Sequence, residues 1–401
     1  MKNIILIIPY GGVGGMERLA THLYKHYKNQ NYKVKVLKIV KLKDDIENFG
    51  EDELFLSEID FISMSFVKRF FFYLQSPFLI RRIIKHYKFT HSFSFGDMAN
   101  ILSSLSLTNE YKIASIHALK SVEFTNNDFL SKIFKLAYRS SYYFHDRVIC
   151  ISEAIKVDLI KNCNFKFIKK LQVIYNPHDI YQINYMASFP IEAVHENKIF
   201  EKQVILFLGR LSVQKSPWHL VKAFSLVVKN NNGINLVFIG DGDENVLKYL
   251  KSLIKELNIE SNVFFLGRKS NPYQYLKKAN VLALSSYYEG TPNVIVEAIA
   301  TGIPIVTSNC TNGITELMSC DQLEKTGKLI ETESGIITPN FFKGSLSIPV
   351  KSDIIQEEVV FAEALTLVIS DQKYKQKIIL NRDKLLQKFN IEVVAKQYLE
   401  K

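Results

Sequence analysis

Short apolar runs alternate with longer segments whose apolar residues recur every three or four positions, and this alternation occurs twice along the chain. In the first half a run at 4–8 leads into a glycine-rich stretch, 11–15. Met16, Leu19, Ala20, Leu23 and Tyr27 then share one helical face, and a second run follows at 33–40. This is a strand–helix–strand opening with a glycine-rich first turn. Runs at 112–116, 147–151 and 173–174 predict further strands, and Ser152 is placed to cap a helix over 153–161. The second half repeats the scheme with runs at 204–208, 235–239, 263–266, 281–284 and 305–307. Short apolar runs alternating with helices imply parallel sheets covered on both faces, an α/β architecture. The stretch 178–200 has no clear period and marks the crossing between halves, while 391–399 reads as a closing amphipathic helix.

Composition adds limits. A chain of 401 residues accommodates two domains, and 47% hydrophobic against 23% charged residues is a globular balance. Cys150, Cys163, Cys310 and Cys320 stand far apart without zinc-ligand spacing and read as free thiols of a reducing compartment. The apolar run at 4–8 stops at Pro9, which suits a first strand better than a signal peptide. No uninterrupted apolar stretch reaches the roughly 18 residues of a membrane-spanning helix. The net charge of +11 is concentrated: residues 1–190 hold 26 Lys and Arg against 17 Asp and Glu. That bias points to an anionic partner, and nucleic-acid-binding motifs are absent, so no nucleic acid is expected. Residues 66–89 mix Lys68, Arg69, Arg81, Arg82, Lys85 and Lys88 with phenylalanines and isoleucines. Two readings stand: a surface for an anionic bilayer, or a core helix over 77–87 with a solvated basic edge, preceded by a buried aromatic loop.

The richest chemistry lies at 285–304, SSYYEGTPNVIVEAIATGIP. Glu289 falls in a turn after a buried strand, and Pro292 suits the first position of a helix. Glu297 then lies about 7.5 Å further along the axis at ~1.5 Å per residue. Amides of Gly290, Thr291, Asn293 and Val294, beside Pro292, offer a diphosphate site at the positive helix end. Glu297 is placed to accept the two hydroxyls of a ribose, with Glu289 facing a sugar beyond the phosphates. Arg210 and Lys215, in GRLSVQK at 209–215, follow the end of another strand, the edge where open α/β sheets bind ligands. Two fixed cations there would neutralise a departing diphosphate.

These segments resemble the family 4 retaining glycosyltransferases of the GT-B fold. The family's Glu-x7-Glu signature corresponds to Glu289 and Glu297, and its diphosphate-binding Arg and Lys to Arg210 and Lys215. Its Gly-Gly-x-Glu-Arg loop corresponds to Gly14, Gly15, Met16, Glu17 and Arg18. The resemblance implies two Rossmann-like domains facing each other across a cleft: an acceptor domain over 1–185, joined by a terminal helix over 385–401, and a donor domain over 195–384. It further implies that Arg268 and Lys269 neighbour the nucleobase and that His117 contacts the donor hexose. No metal is implied, although Asp241 and Asp243 mimic the metal-binding Asp-x-Asp of the other glycosyltransferase fold. The expected reaction is transfer of a hexose or N-acetylhexosamine from a nucleotide sugar, UDP-linked with GDP as the alternative, with retained configuration. No carboxylate of the first half stands out as a covalent nucleophile, so same-face displacement is expected. The acceptor would be a glycan or lipid-linked saccharide of lipopolysaccharide, capsule or O-antigen assembly, met at the inner face of a cytoplasmic membrane. A UDP-sugar 2-epimerase of the same fold, and a non-catalytic partner of a glycan-assembly complex, are the competing readings.

Overall fold

The computed structural model describes residues 2–11, 15–42, 45, 48–60, 63–123, 129–231, 233–311, 313–320, 329–349 and 353–400. Packing divides the chain into two units, Met1–His178 with Lys388–Lys401, and Asp179–Gln387. The first therefore ends before residue 185, and the return segment begins at Lys388.

The first unit holds β1 (Asn3–Ile8), β2 (Lys33–Val40), β3 (Glu53–Ser57), β4 (His91–Phe95), β5 (Tyr111–Ile116), β6 (Arg147–Cys150) and β7 (Leu171–Val173). They form one sheet in the order β3-β2-β1-β4-β5-β6-β7, parallel throughout. Ile4, Leu6 and Ile8 point to one face with Leu19, Leu23 and Tyr27, whereas Ile5 and Ile7 pack with Ile80 and Ile84 on the other. Period-2 alternation thus buries β1 twice, which is why it reads as a continuous apolar run. The helix Glu153–Lys161 starts where Ser152 accepts from the Ile155 amide. The helix Ile391–Leu399 returns to this unit, and Tyr398 is buried against Phe93.

The second unit holds β8 (Gln203–Leu208), β9 (Ile234–Ile239), β10 (Val263–Phe265), β11 (Val281–Leu284), β12 (Ile305–Ser308), β13 (Ile330–Glu331) and β14 (Gly335–Thr338). Their order is β10-β9-β8-β11-β12-β14-β13, with only the β13–β14 pair antiparallel. Each sheet places its first strand beside its fourth, the doubly wound arrangement whose loops after the strands form a ligand edge.

Three expectations are corrected. Residues 66–87 form one helix, Phe66–Tyr87, capped by the Ser65 hydroxyl, with Pro77 inside it. Phe70 and Phe71 are exposed, so no buried aromatic loop precedes residue 77. The stretch 178–200 contains two short helices, Ile180–Ala187 and Val194–Ile199, each too brief to show a period. Pro292 caps the helix Asn293–Thr301 instead of beginning it.

Candidate functional site

In the second unit the loops after β8, β9 and β11 are fastened backbone to backbone. Gly209 N donates to Ile239 O, Leu211 N to Asp241 O, and Asp243 N back to Leu211 O. A Cβ on Gly240 would lie 2.0 Å from Gly209 O, and one on Gly242 2.2 Å from Leu211 O. Only glycine permits this approach, and Gly240 also has φ +137°. The Asp-x-Asp look-alike belongs to this stitching: the Asp243 carboxylate caps the helix Glu244–Glu256 by accepting from Asn245 N.

The β8 loop is joined to the β11 loop just as closely. Ser216 takes the left-handed conformation, φ 36°, and its hydroxyl donates to Ser285 O at 2.6 Å. Ser285 Oγ donates to Lys215 O, Tyr287 N to Gln214 O, and Gln214 Nε2 to Tyr288 O. A non-glycine residue at positive φ persists only when its surroundings over-determine it. Here the bonds on either side do so, and they turn the Lys215 side chain toward Glu289. The Lys215 ammonium lies 2.6 Å from Glu289 Oε1, and Ser286 Oγ donates to the same oxygen at 2.7 Å. Both charged side chains are mostly out of solvent, 16% and 9% exposed. Arg210 is exposed at the start of the same loop.

A second layer lies behind the turn. His219 Nε2 meets the Tyr287 hydroxyl at 3.0 Å, and His219 Nδ1 meets Glu358 Oε1 at 2.6 Å. Glu358 has no exposed surface, and its other oxygen accepts from Ile355 N. Burial lowers the His219 pKa, with Glu358 opposing. Asn340 holds Tyr287 O and Asn309 O. None of Ser216, Ser286, Tyr287, His219, Asn340 or Glu358 carries a sequence signal of its own. The nearest hint is Ser286, three residues before Glu289.

Gly290, Thr291 and Pro292 complete the turn, and the helix from Asn293 and Val294 has no side-chain cap at its start. The Asn293 and Val294 amides precede any intrahelical acceptor, while Ile295 N donates to Pro292 O, and the aligned peptide dipoles make this end electropositive. The helix buries Val294, Ile295, Val296, Ala298 and Ile299, leaving Glu297 half-buried on its remaining face. It ends at Gly302, φ 74°, in the left-handed form that suits glycine. Lys215, Glu289 and the open helix end thus share one edge of the sheet. Arg268 is exposed beyond β10, whereas the Lys269 ammonium rests 2.5 Å from Glu196, which also accepts from Tyr275.

In the first unit, Gly15 begins the helix Gly15–Asn29 in open space, and Gly14 lies outside the described residues. Gly11 N donates to Asp45, which with Glu53 flanks the buried Lys38 ammonium. His117 follows β5. Both its ring nitrogens are buried without a hydrogen-bond partner among the described residues. Burial, aided by the Lys120 charge, pulls its pKa down to about 3, so the imidazole is neutral near pH 7.

No helix among the described residues is long and apolar enough to cross a membrane. Cys150, Cys163 and Cys310 are buried thiols, and Cys320 is half-buried.

Comparisons with known proteins agree with this architecture. Residues 13–182 match the family Glycosyltransferase Family 4, and 191–335 match Glycosyl transferases group 1. An uncharacterised glycosyltransferase of Methanocaldococcus jannaschii is 27% identical over 81% of this chain and 82% of its own. A Campylobacter jejuni GalNAc-alpha-(1->4)-GalNAc-alpha-(1->3)-diNAcBac-PP-undecaprenol alpha-1,4-N-acetyl-D-galactosaminyltransferase is 25% identical over 100% of this chain and 98% of its own. Among solved structures, Anabaena Alr3699/HepE in complex with UDP superposes with a TM-score of 0.73 at 17% identity, covering 99% of this chain and 98% of that one. The chain belongs to the family 4 glycosyltransferases and is a glycosyltransferase of the GT-B fold.

Proposed function

We propose that the chain transfers a hexose or N-acetylhexosamine from a UDP-sugar, with retained configuration, to a lipid-linked or glycan acceptor of bacterial cell-surface polysaccharide assembly. The observation that carries this is the Lys215–Glu289 contact beside an uncapped helix start. The Lys215 and Arg210 charges and the amides of Gly290 to Val294 would receive the diphosphate, where negative charge grows as the bond from the anomeric carbon to the nucleotide breaks. The acceptor oxygen forms the new bond on the same face, and its proton passes to the departing phosphate oxygen. Glu297 is read as holding the ribose hydroxyls, and Glu289 the sugar beyond the phosphates. Arg268 and Lys269 are read as neighbours of the base, Lys269 through a head already engaged by Glu196. His117, neutral and with both nitrogens unpartnered among the described residues, suits a contact with sugar hydroxyls.

UDP is favoured by the nucleotide in the Anabaena structure, and the acceptor class by the polyprenol-diphosphate-linked saccharide in the Campylobacter relative's name. The reaction would run on the cytoplasmic side, where nucleotide sugars are made, with no metal required. The test is a thermal-shift screen of UDP- and GDP-sugars on the wild type and Glu297→Ala. Stabilisation of the wild type by a UDP-sugar, lost in the variant, is expected. Equal stabilisation of both would overturn the ribose assignment, and stabilisation by GDP-sugars alone would overturn the choice of UDP.

A further inference from the structure

We propose that the outward face of the helix Phe66–Tyr87 is a docking surface for an anionic phospholipid bilayer, on which the helix lies in the plane of the headgroups. This rests on the helix itself and is independent of the donor-site reading. Its inward face is accounted for: Ser76, Ile80 and Ile84 are buried, and the two isoleucines join the core under β1 and β2. The opposite face is not polar. Val67, Phe70, Phe71, Leu74 and Phe78 are 61%, 55%, 55%, 53% and 72% exposed. At 3.6 residues per turn these positions fall in one sector about 100° wide, a stripe roughly 16 Å long at ~1.5 Å per residue.

The same face then changes character. Arg81, Arg82 and Lys85 continue it toward the C-terminal end, and Lys68 flanks its start, all exposed. Residues 66–89 contain no Asp or Glu, and none of these four cations forms an ion pair among the described residues. A groove of about 530 Å³ at that end is lined by Arg81, Lys85, Lys88 and Asn109. Glu110 also borders it, with its Oε1 held by Lys112 and Ser92.

Charge and shape together select the occupant. An apolar stripe beside a run of cations fits acyl chains beneath phosphates, with the rings ~5–10 Å below the headgroups. Each cation near an anionic surface contributes about a fivefold gain in partitioning. A second copy would set this unpaired positive run against itself, which disfavours self-association.

The experiment is co-sedimentation of the full chain with vesicles of phosphatidylethanolamine and phosphatidylglycerol, against phosphatidylcholine alone. The wild type is expected to bind the anionic vesicles, less as salt rises. Phe70→Ser/Phe71→Ser/Phe78→Ser and Arg81→Glu/Arg82→Glu/Lys85→Glu should each weaken binding at least tenfold while melting at nearly the wild-type temperature. Phe70→Leu/Phe71→Leu/Phe78→Leu should retain it. The proposal fails if the wild type ignores anionic vesicles or if the serine variant binds them equally. It also fails if light scattering shows a dimer of the wild type that the serine variant abolishes.

Discussion

Lys215 and Glu289 form a charge pair withdrawn from water, and such a pair offsets the desolvation of each partner only while both are present. Replacing one leaves the other stranded beside Ser286. Lys215→Met is therefore expected to cost the second unit about 1–3 kcal/mol, and Lys215→Met/Glu289→Gln to recover most of it in chemical denaturation. Transfer should fall by roughly 10²–10³-fold in both, because diphosphate stabilisation goes with the lysine. A double variant no more stable than the single would show that the contact is incidental. These two residues were legible in the sequence because their neighbours, glycines, a proline and strand ends, mark a turn at a sheet edge. The residues that hold the turn were not. His219, Tyr287 and Glu358 sit at positions where a helix face or strand end would ordinarily be apolar, and a hydrogen bond across 139 positions leaves no local pattern.

Strands buried on both faces were visible as apolar runs, and those of the second unit fall within a residue or two of their expected bounds. β4 was missed because its sequence, HSFSF, alternates as a half-exposed strand would, yet all five residues are buried. Its serines are satisfied internally, Ser92 by Glu110 and Ser94 by Asn100. β3 is an edge strand of half-buried residues, and β13, with two residues, is too short to show a period. The loops after β8 and β9 give the sharpest test at this scale. Gly240→Ala adds a methyl group 2.0 Å from Gly209 O at a φ that disfavours any side chain, so the two loops must part. A loss of about 2–4 kcal/mol is expected in denaturant titration, with nucleotide affinity reduced as Lys215 moves. A variant of native stability would contradict the stitching.

At the scale of the whole molecule the chain's last residues complete the first unit. Tyr27 OH donates to Ala395 O, Arg147 Nη1 to Gln397 O and Glu400 O, and His178 N to Phe389 O. Truncation after Gln387 should therefore melt the first unit, exposing Phe93 and Tyr27, while the second keeps its transition in calorimetry. A truncated chain with both transitions intact would refute this. The first unit should also be acid-sensitive. Burial holds His117 and His145 at about 3 and His178 at about 4, against 6.5 for the free side chain. The unfolded chain thus binds protons first, and stability falls as pH drops from about 6.5 toward 4. Each histidine contributes at most about 1.4 kcal/mol per pH unit. His117→Asn should flatten that fall by about one histidine's share in melting curves, and an unchanged slope would show that His117 titrates normally. The donor site itself is tested most directly by calorimetric titration of UDP and of uridine into wild type and Arg210→Met/Lys215→Met. The wild type should prefer UDP at least a hundredfold, and the variant should lose most of that preference while binding uridine unchanged. A preference that survives the double substitution would contradict a diphosphate site built on Arg210 and Lys215.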